Sequence, residues 1–122
     1  MADLRGEFAP GDVVRVDLDP SRGNEQQKVR PVLVVSDTNP LGLVIVLPIT
    51  DAGRRTGRLF VAIGDLPAAG LSKPSVVDVF QIRCIDPVRL KGKLGKVDDD
   101  VMNKVRAALA DVLGIDEEHV AE

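Results

Sequence analysis

Arg30 and Thr50 stand at the outer ends of two apolar runs, and a guanidinium beside a hydroxyl is a combination that can hold a phosphodiester. Arg30-Pro31 opens Val32-Leu33-Val34-Val35, while Val44-Ile45-Val46-Leu47-Pro48-Ile49 ends at Thr50. Between them lies Asp37-Thr38-Asn39-Pro40-Leu41-Gly42. Turn residues between two β-branched runs predict a β-hairpin. With the turn centred near Pro40, antiparallel partners have numbers that sum to about 80, which sets Arg30 opposite Thr50. Opposed residues share a face, with Cβ atoms roughly 4.5 to 5.5 Å apart; a slip of one residue would separate their faces. Arg30 would then offer a forked donor to phosphoryl oxygens, and Thr50 a hydroxyl to charge growing in a transition state. Glu25, Gln26 and Lys28 sit in the loop that leads into this hairpin. The same residue types also have plain structural uses, because Arg before Pro is a common surface residue and Thr at a strand end a common turn former.

Other chemistries find little support. There is no Cys/His cluster and no His-Glu-x-x-His, so ordinary zinc sites are excluded. Asp17, Asp19 and Glu25 are carboxylates that could hold Mg²⁺, but their spacing is ordinary for a strand end; no metal or other cofactor is expected. Ser36 or Cys84 as a nucleophile would need a base, and the single histidine, His119, falls in the C-terminal tail. Cys84 reads instead as a small buried hydrophobe. Neither Gly-x-x-x-x-Gly-Lys-Ser/Thr nor Gly-x-Gly-x-x-Gly is present. With no Trp or Tyr and only Phe8, Phe60 and Phe80, the chain has no aromatic platform for stacking bases. Contacts to a nucleic acid would have to come from Arg, Lys, amides and backbone.

The net charge of -3 argues against such a ligand until it is divided along the chain. Residues 1–97 carry 14 basic against 11 acidic side chains, and residues 98–122 carry 2 against 8. The acid is therefore concentrated at the end, leaving a body with a modest positive excess. Scattered solvated charge would give the same count. The 122 residues, 44% of them hydrophobic, suit a single domain with its own core. No apolar run approaches the roughly 20 residues that span a bilayer, and the charged start Met1-Ala2-Asp3-Leu4-Arg5-Gly6-Glu7 is unlike a signal peptide. A lone cysteine fits a reducing compartment, so a cytoplasmic protein is expected.

The elements that must position Arg30 and Thr50 follow from periodicity. Residues 12–18 alternate, with Val14, Val16 and Leu18 on one face and Arg15 and Asp17 on the other, a half-buried strand. Residues 19–29 form a long polar loop. After Thr50 comes a basic, Gly-bounded loop at 51–57, then a short strand at 59–63 and a turn-rich stretch with room for a brief strand or helical turn around 66–71. Residues 75–85 are the next long β-branched run, ended by Asp86-Pro87. Residues 89–97 alternate Lys and Gly with Leu90, Leu94 and Val97, a weak edge strand guarded by lysines. The period then changes to 3.6: Asp98 is the N-cap, Asp99 and Asp100 fill the first turn, and Val101, Met102, Val105, Leu109, Val112 and Leu113 make an apolar stripe that stops at Gly114. Five to seven short strands and one packed helix make an α+β chain, an antiparallel and partly open β-barrel with a C-terminal amphipathic helix. Residues 1–122 form one domain, with a flexible acidic tail from about residue 115.

At these residues the sequence resembles the MazF/PemK family of toxin endoribonucleases. The resemblance is carried by Gly11-Asp12-Val13-Val14 with Val16-Asp17-Leu18-Asp19-Pro20, and by Gly23-x-Glu25-Gln26-x-x-x-Arg30-Pro31-Val32-Leu33-Val34. Pro48-Ile49-Thr50, Gln81-Ile82-Arg83-x-Ile85-Asp86, Arg89-Leu90 and the closing helix continue it in order to about Ile115. It implies an SH3-like barrel, a homodimer, and the toxin of a type II toxin-antitoxin system. The implied activity is metal-independent, sequence-specific cleavage of single-stranded RNA, an mRNA interferase. The ribose 2′-OH attacks the adjacent phosphate and leaves 2′,3′-cyclic phosphate and 5′-OH ends.

The family's catalytic Arg and Thr fall on Arg30 and Thr50, with Glu25 as a further candidate base. Gln26, Lys28, Gln81 and Arg83 would bind substrate. A guanidinium holds its proton so tightly that an electrostatic role suits Arg30 better than general acid-base work. A cognate antitoxin protein would occupy the RNA groove. One departure stands out, since many members carry an acid immediately before the residue matching Gln81, where this chain has Phe80 and its nearest acid is Asp78. Two other readings keep the same barrel: a non-enzymatic toxin that poisons gyrase, whose members lack the Arg-Pro and Pro-x-Thr pair and use C-terminal Trp, and an inactive binding module.

Overall fold

β-branched residues fill the strand runs, and in the computed structural model they form an antiparallel array. It describes residues 8–17, 29–37 and 40–115. The strands are β1 (Asp12–Asp17), β2 (Val29–Val34), β3 (Val44–Asp51), β4 (Phe60–Ala62), β5 (Ser75–Asp78), β6 (Arg83–Ile85) and β7 (Leu90–Lys96). A short helix, α1 (Leu66–Ala69), precedes β5, and a 3-10 turn (Pro87–Arg89) joins β6 to β7. Helix α2 (Asp99–Leu113) closes the fold. The strands run in the order β4-β5-β3-β2-β1-β7, with β6 also on β3. The path does not close, so the expected partly open α+β barrel is what the chain forms.

β3 belongs to two ladders along one edge. Its first half, Val44, Ile45 and Val46, pairs with β6, and its last three residues, Ile49, Thr50 and Asp51, pair with β5. The run 75–85 is accordingly not one strand. Asp78 ends β5 by accepting the Phe80 N–H on its own side chain (3.2 Å), a local bond that competes with the ladder. The chain turns over residues 79–82 and resumes as β6 farther down β3. Cys84 lies on that short strand and is exposed, contrary to its reading as a buried hydrophobe, because a three-residue edge segment covers only one of its faces.

Strand alternation sorts the apolar residues onto two faces. Val13, Leu33, Leu47 and Ile49 point to a core shared with Val61, Val77, Val79, Val97 and the α2 residues Val101, Met102 and Val105. Val14, Val16, Val32, Val34, Val44 and Val46 point the other way and pack with Ile85 and Leu90, with Phe8 against them. β1 is therefore apolar on both faces at Val13 and Val14 rather than half-buried, since both are fully buried. Each such side chain contributes about 1.5 to 3 kcal/mol of transfer free energy.

The ends of α2 are where the sequence places them. Asp98 Oδ1 accepts the Val101 N–H (2.9 Å), Asp99 and Asp100 lie in the first turn, and Gly114 closes the helix at φ 70°. Leu113 leaves the stripe and is 55% exposed. Leu113 is the last residue of the helix. α1 meets β7 backbone to backbone: a Cβ on Gly70 would strike the Leu94 carbonyl, and one on Gly95 the Ala68 carbonyl. Among the described residues β7 pairs with β1 alone, a lysine-bearing edge as expected. The tail expected to be flexible, with His119, lies outside the described residues beyond Ile115.

Candidate functional site

The β2–β3 ladder carries the site. Its pairs are Val32 with Pro48, Leu33 with Leu47 and Val34 with Val46, and each pair of numbers sums to 80. Arg30 and Thr50 fall in the next same-face row of that register, but the ladder ends before it. Pro48 marks the end. It is the last β3 residue paired with β2 and lies in the gap between the β6 and β5 ladders, where a residue without an N–H loses least. Beyond it β2 stays with β1, Arg30 opposite Val16. β3 leaves with β5, Thr50 opposite Val76. Past the last β2–β3 pair the two strands have different partners, and Arg30 is exposed while Thr50 is half-buried.

Alternation puts both residues on the face of Val32, Val34, Val44 and Val46. Arg83 is on that face too, because it is directly opposite Val46 and in phase with Ile85. It is not next to Arg30. Its row lies four residues farther along the strands, about 13 Å at roughly 3.3 Å per residue. Gln81 is exposed in the turn between β5 and β6. The structure thus sets Arg30 and Thr50 just past the end of the β2–β3 ladder and Arg83 on the other edge of β3, the one that pairs with β6. Glu25, Gln26 and Lys28 lie outside the described residues.

Several other arginines are engaged in holding structure. The Arg55 Nη1 donates to the Asp51 carbonyl (3.0 Å), and Arg58 pairs with Asp111 of α2 (3.0 Å). Two buried acids went unremarked as structural anchors in the sequence. Asp12, 4% exposed, accepts the Ala9 N–H (3.0 Å) and meets Lys93 Nζ (3.1 Å), which ties β1 to the edge strand. Asp78, 8% exposed, holds the Gln81 side chain through its Nε2 (2.7 Å). Among the described residues no three His, Cys, Asp or Glu side chains gather as a metal site would require.

A family model described as the PemK-like, MazF-like toxin of type II toxin-antitoxin systems matches residues 9–113, nearly all of the chain. The chain belongs to this family. Among curated PemK/MazF relatives, endoribonuclease EndoA of Bacillus subtilis is 36% identical over 102 residues, covering 81% of this chain and 88% of the relative. Endoribonuclease PemK of Escherichia coli is 33% identical over 113 residues, covering 89% and 84%. Among solved structures, an endoribonuclease in complex with its cognate antitoxin from mycobacterial species superposes with a TM-score of 0.68 at 29% identity, over 88% of this chain and 95% of that one. The open antiparallel sheet with its closing helix is thus a PemK/MazF fold in sequence and in shape.

Proposed function

We propose that this chain is the toxin of a type II toxin-antitoxin system, an endoribonuclease that cuts single-stranded RNA just past the end of the β2–β3 ladder. The observation that supports the assignment is the 80-sum register of the β2–β3 ladder, whose next same-face row would hold Arg30 and Thr50. In this reading the Arg30 guanidinium forks onto the non-bridging oxygens of the scissile phosphate, where charge grows as the 2′-OH attacks. The Thr50 hydroxyl donates to the same phosphoryl group or orients the attacking hydroxyl. Glu25 takes the 2′-OH proton, since a carboxylate is far better suited to accept it than a guanidinium. As O2′ bonds to phosphorus the P–O5′ bond breaks, the leaving oxygen takes up a proton from solvent, and the products are a 2′,3′-cyclic phosphate and a 5′-OH. Gln26, Lys28, Gln81 and Arg83 hold the neighbouring nucleotides.

The working unit in this reading is a cytoplasmic homodimer that a cognate antitoxin protein silences. A mycobacterial relative solved with its antitoxin supports that partner. Among the described residues no helix is long and apolar enough to cross a membrane. The test is incubation of the purified protein with end-labelled mixed-sequence RNA in EDTA. Discrete cuts with cyclic-phosphate ends are expected; intact RNA, or cuts only after Mg²⁺ is added, would overturn the reading.

A further inference from the structure

Three arginines and no acid occupy residues 52–58, in the loop that carries the chain from the end of β3 to β4. Two turns shape it. The Arg55 N–H donates to the Ala52 carbonyl (2.7 Å) and the Phe60 N–H to the Gly57 carbonyl (3.1 Å), with Gly53 and Gly57 at positive φ. Arg54 and Arg55 are exposed between these glycines. Arg55 uses Nη1 on the Asp51 carbonyl (3.0 Å), and the rest of its donor fork is left for a second ligand. Four residues of chain span at most about 14 Å, so Arg54 lies within that reach of Thr50. Arg58 ties the loop to the end of α2, its Nη1 meeting Asp111 Oδ2 at 3.0 Å. One helical turn farther on, the chain leaves α2 at a fixed place. The Gly114 N–H donates to the Asp111 carbonyl (3.2 Å) and the Ile115 N–H to the Ala110 carbonyl (2.8 Å), the paired bonds of a Schellman closure. Residues 116–122 begin there, and they carry Asp116, Glu117, Glu118 and Glu122 with no Lys or Arg.

We infer that the chain's own acidic segment, residues 116–122, docks on the arginine loop at Arg54 and Arg55 and competes there with an RNA backbone. Seven extended residues reach about 23 Å, and the segment starts one turn of helix from Asp111, which already touches the loop. Tethering supplies what exposed ion pairs lack. Each pair is weak by itself, but a segment joined to its target by a few residues meets it at a local concentration in the millimolar range. RNA that reaches Thr50 must then displace the segment from the adjoining arginines. The uneven charge along the chain thereby becomes a brake on RNA binding, one that weakens as salt screens it. The docking stands apart from the endoribonuclease reading, while the competition with RNA rests on it.

The experiment uses the full chain as the parent, as a neutral-tail variant (Asp116→Asn, Glu117→Gln, Glu118→Gln, Glu122→Gln), and with Arg54→Ala and Arg55→Ala in both of these backgrounds. Without RNA, the amide NMR shifts of residues 53–57 should differ between the parent and the neutral-tail variant at low salt. They should coincide at about 1 M salt, where charges are screened within roughly 3 Å. On an RNA made uncleavable by a 2′-deoxy nucleotide at the cut, the neutral tail should tighten binding at low salt by about three- to tenfold, as the loss of two or three competing exposed ion pairs would. It should also steepen the slope of log K against log salt. With Arg54→Ala and Arg55→Ala in place, the same tail change should leave the affinity unaltered. An equal gain in both backgrounds would mean a diffuse effect of net charge and overturns the inference, as do loop shifts that are the same with either tail. A parent that leaves all RNA intact overturns the endoribonuclease reading, and the shifts then decide the docking by themselves. A parent that cuts RNA but shows no tail-dependent shifts overturns the docking alone.

Discussion

Arg30 is useful for its shape as much as for its charge. A guanidinium presents coplanar donors that match two phosphoryl oxygens, whereas an ammonium is a point charge. Arg30→Lys should therefore lower kcat by on the order of 10²-fold, about the loss seen when one preorganised donor to a growing charge is removed. Its melting temperature should match the parent's, because Arg30 is exposed and surface substitutions of this kind shift stability by no more than about 0.5 kcal/mol. Single-turnover kinetics and a thermal melt on the same preparation check both halves. At this scale the sequence was legible where pairing geometry alone decides. The sum of 80 holds for the pairs from Val32–Pro48 to Val34–Val46, while the Asp78–Gln81 bond depends on a side chain curling back over its own turn, which periodicity does not encode.

The pairing of the elements sets where the β2–β3 ladder ends. It stops at Val32–Pro48, and beyond Pro48 β3 pairs with β5 while β2 stays with β1. Strand positions, the lysine edge and both ends of α2 were readable, because alternation, charge and caps are local signals. The split of residues 75–85 was not. Val76, Val77, Val79, Ile82 and Ile85 look like one strand, and only the partners on β3 reveal two ladders. The backbone contact between α1 and β7 was equally hidden, since the sequence does not say which glycines face each other. Gly95→Ala should destabilise the fold by on the order of 1 to 3 kcal/mol, because its Cβ would meet the Ala68 carbonyl and the backbone must move. Gly64→Ala, where a Cβ would have open space, should stay within about 0.5 kcal/mol of the parent in urea melts.

For the whole molecule, the division between a mildly basic body and an acidic C-terminal stretch reconciles an acidic chain with a polyanionic ligand. Binding should be strongly salt-dependent, since each phosphate neutralised contributes about -0.7 to the slope of log K against log salt for single strands. Arg83→Ala should make that slope shallower by about 0.7 when binding is measured on an uncleavable RNA with a 2′-deoxy nucleotide at the cut, and should leave the cleavage ends unchanged on all-ribose RNA. An unaltered slope would remove Arg83 from the groove. The most direct measurement is a double-mutant cycle of single-turnover cleavage rates for Arg30→Ala, Thr50→Ala and the pair. If both side chains act on one phosphate, each single change should cost on the order of 10²-fold or more, and the double variant should lose far less than the product of the two, as groups that act as a unit do. Losses that multiply in full, or either single variant cutting at the parental rate, would contradict the account.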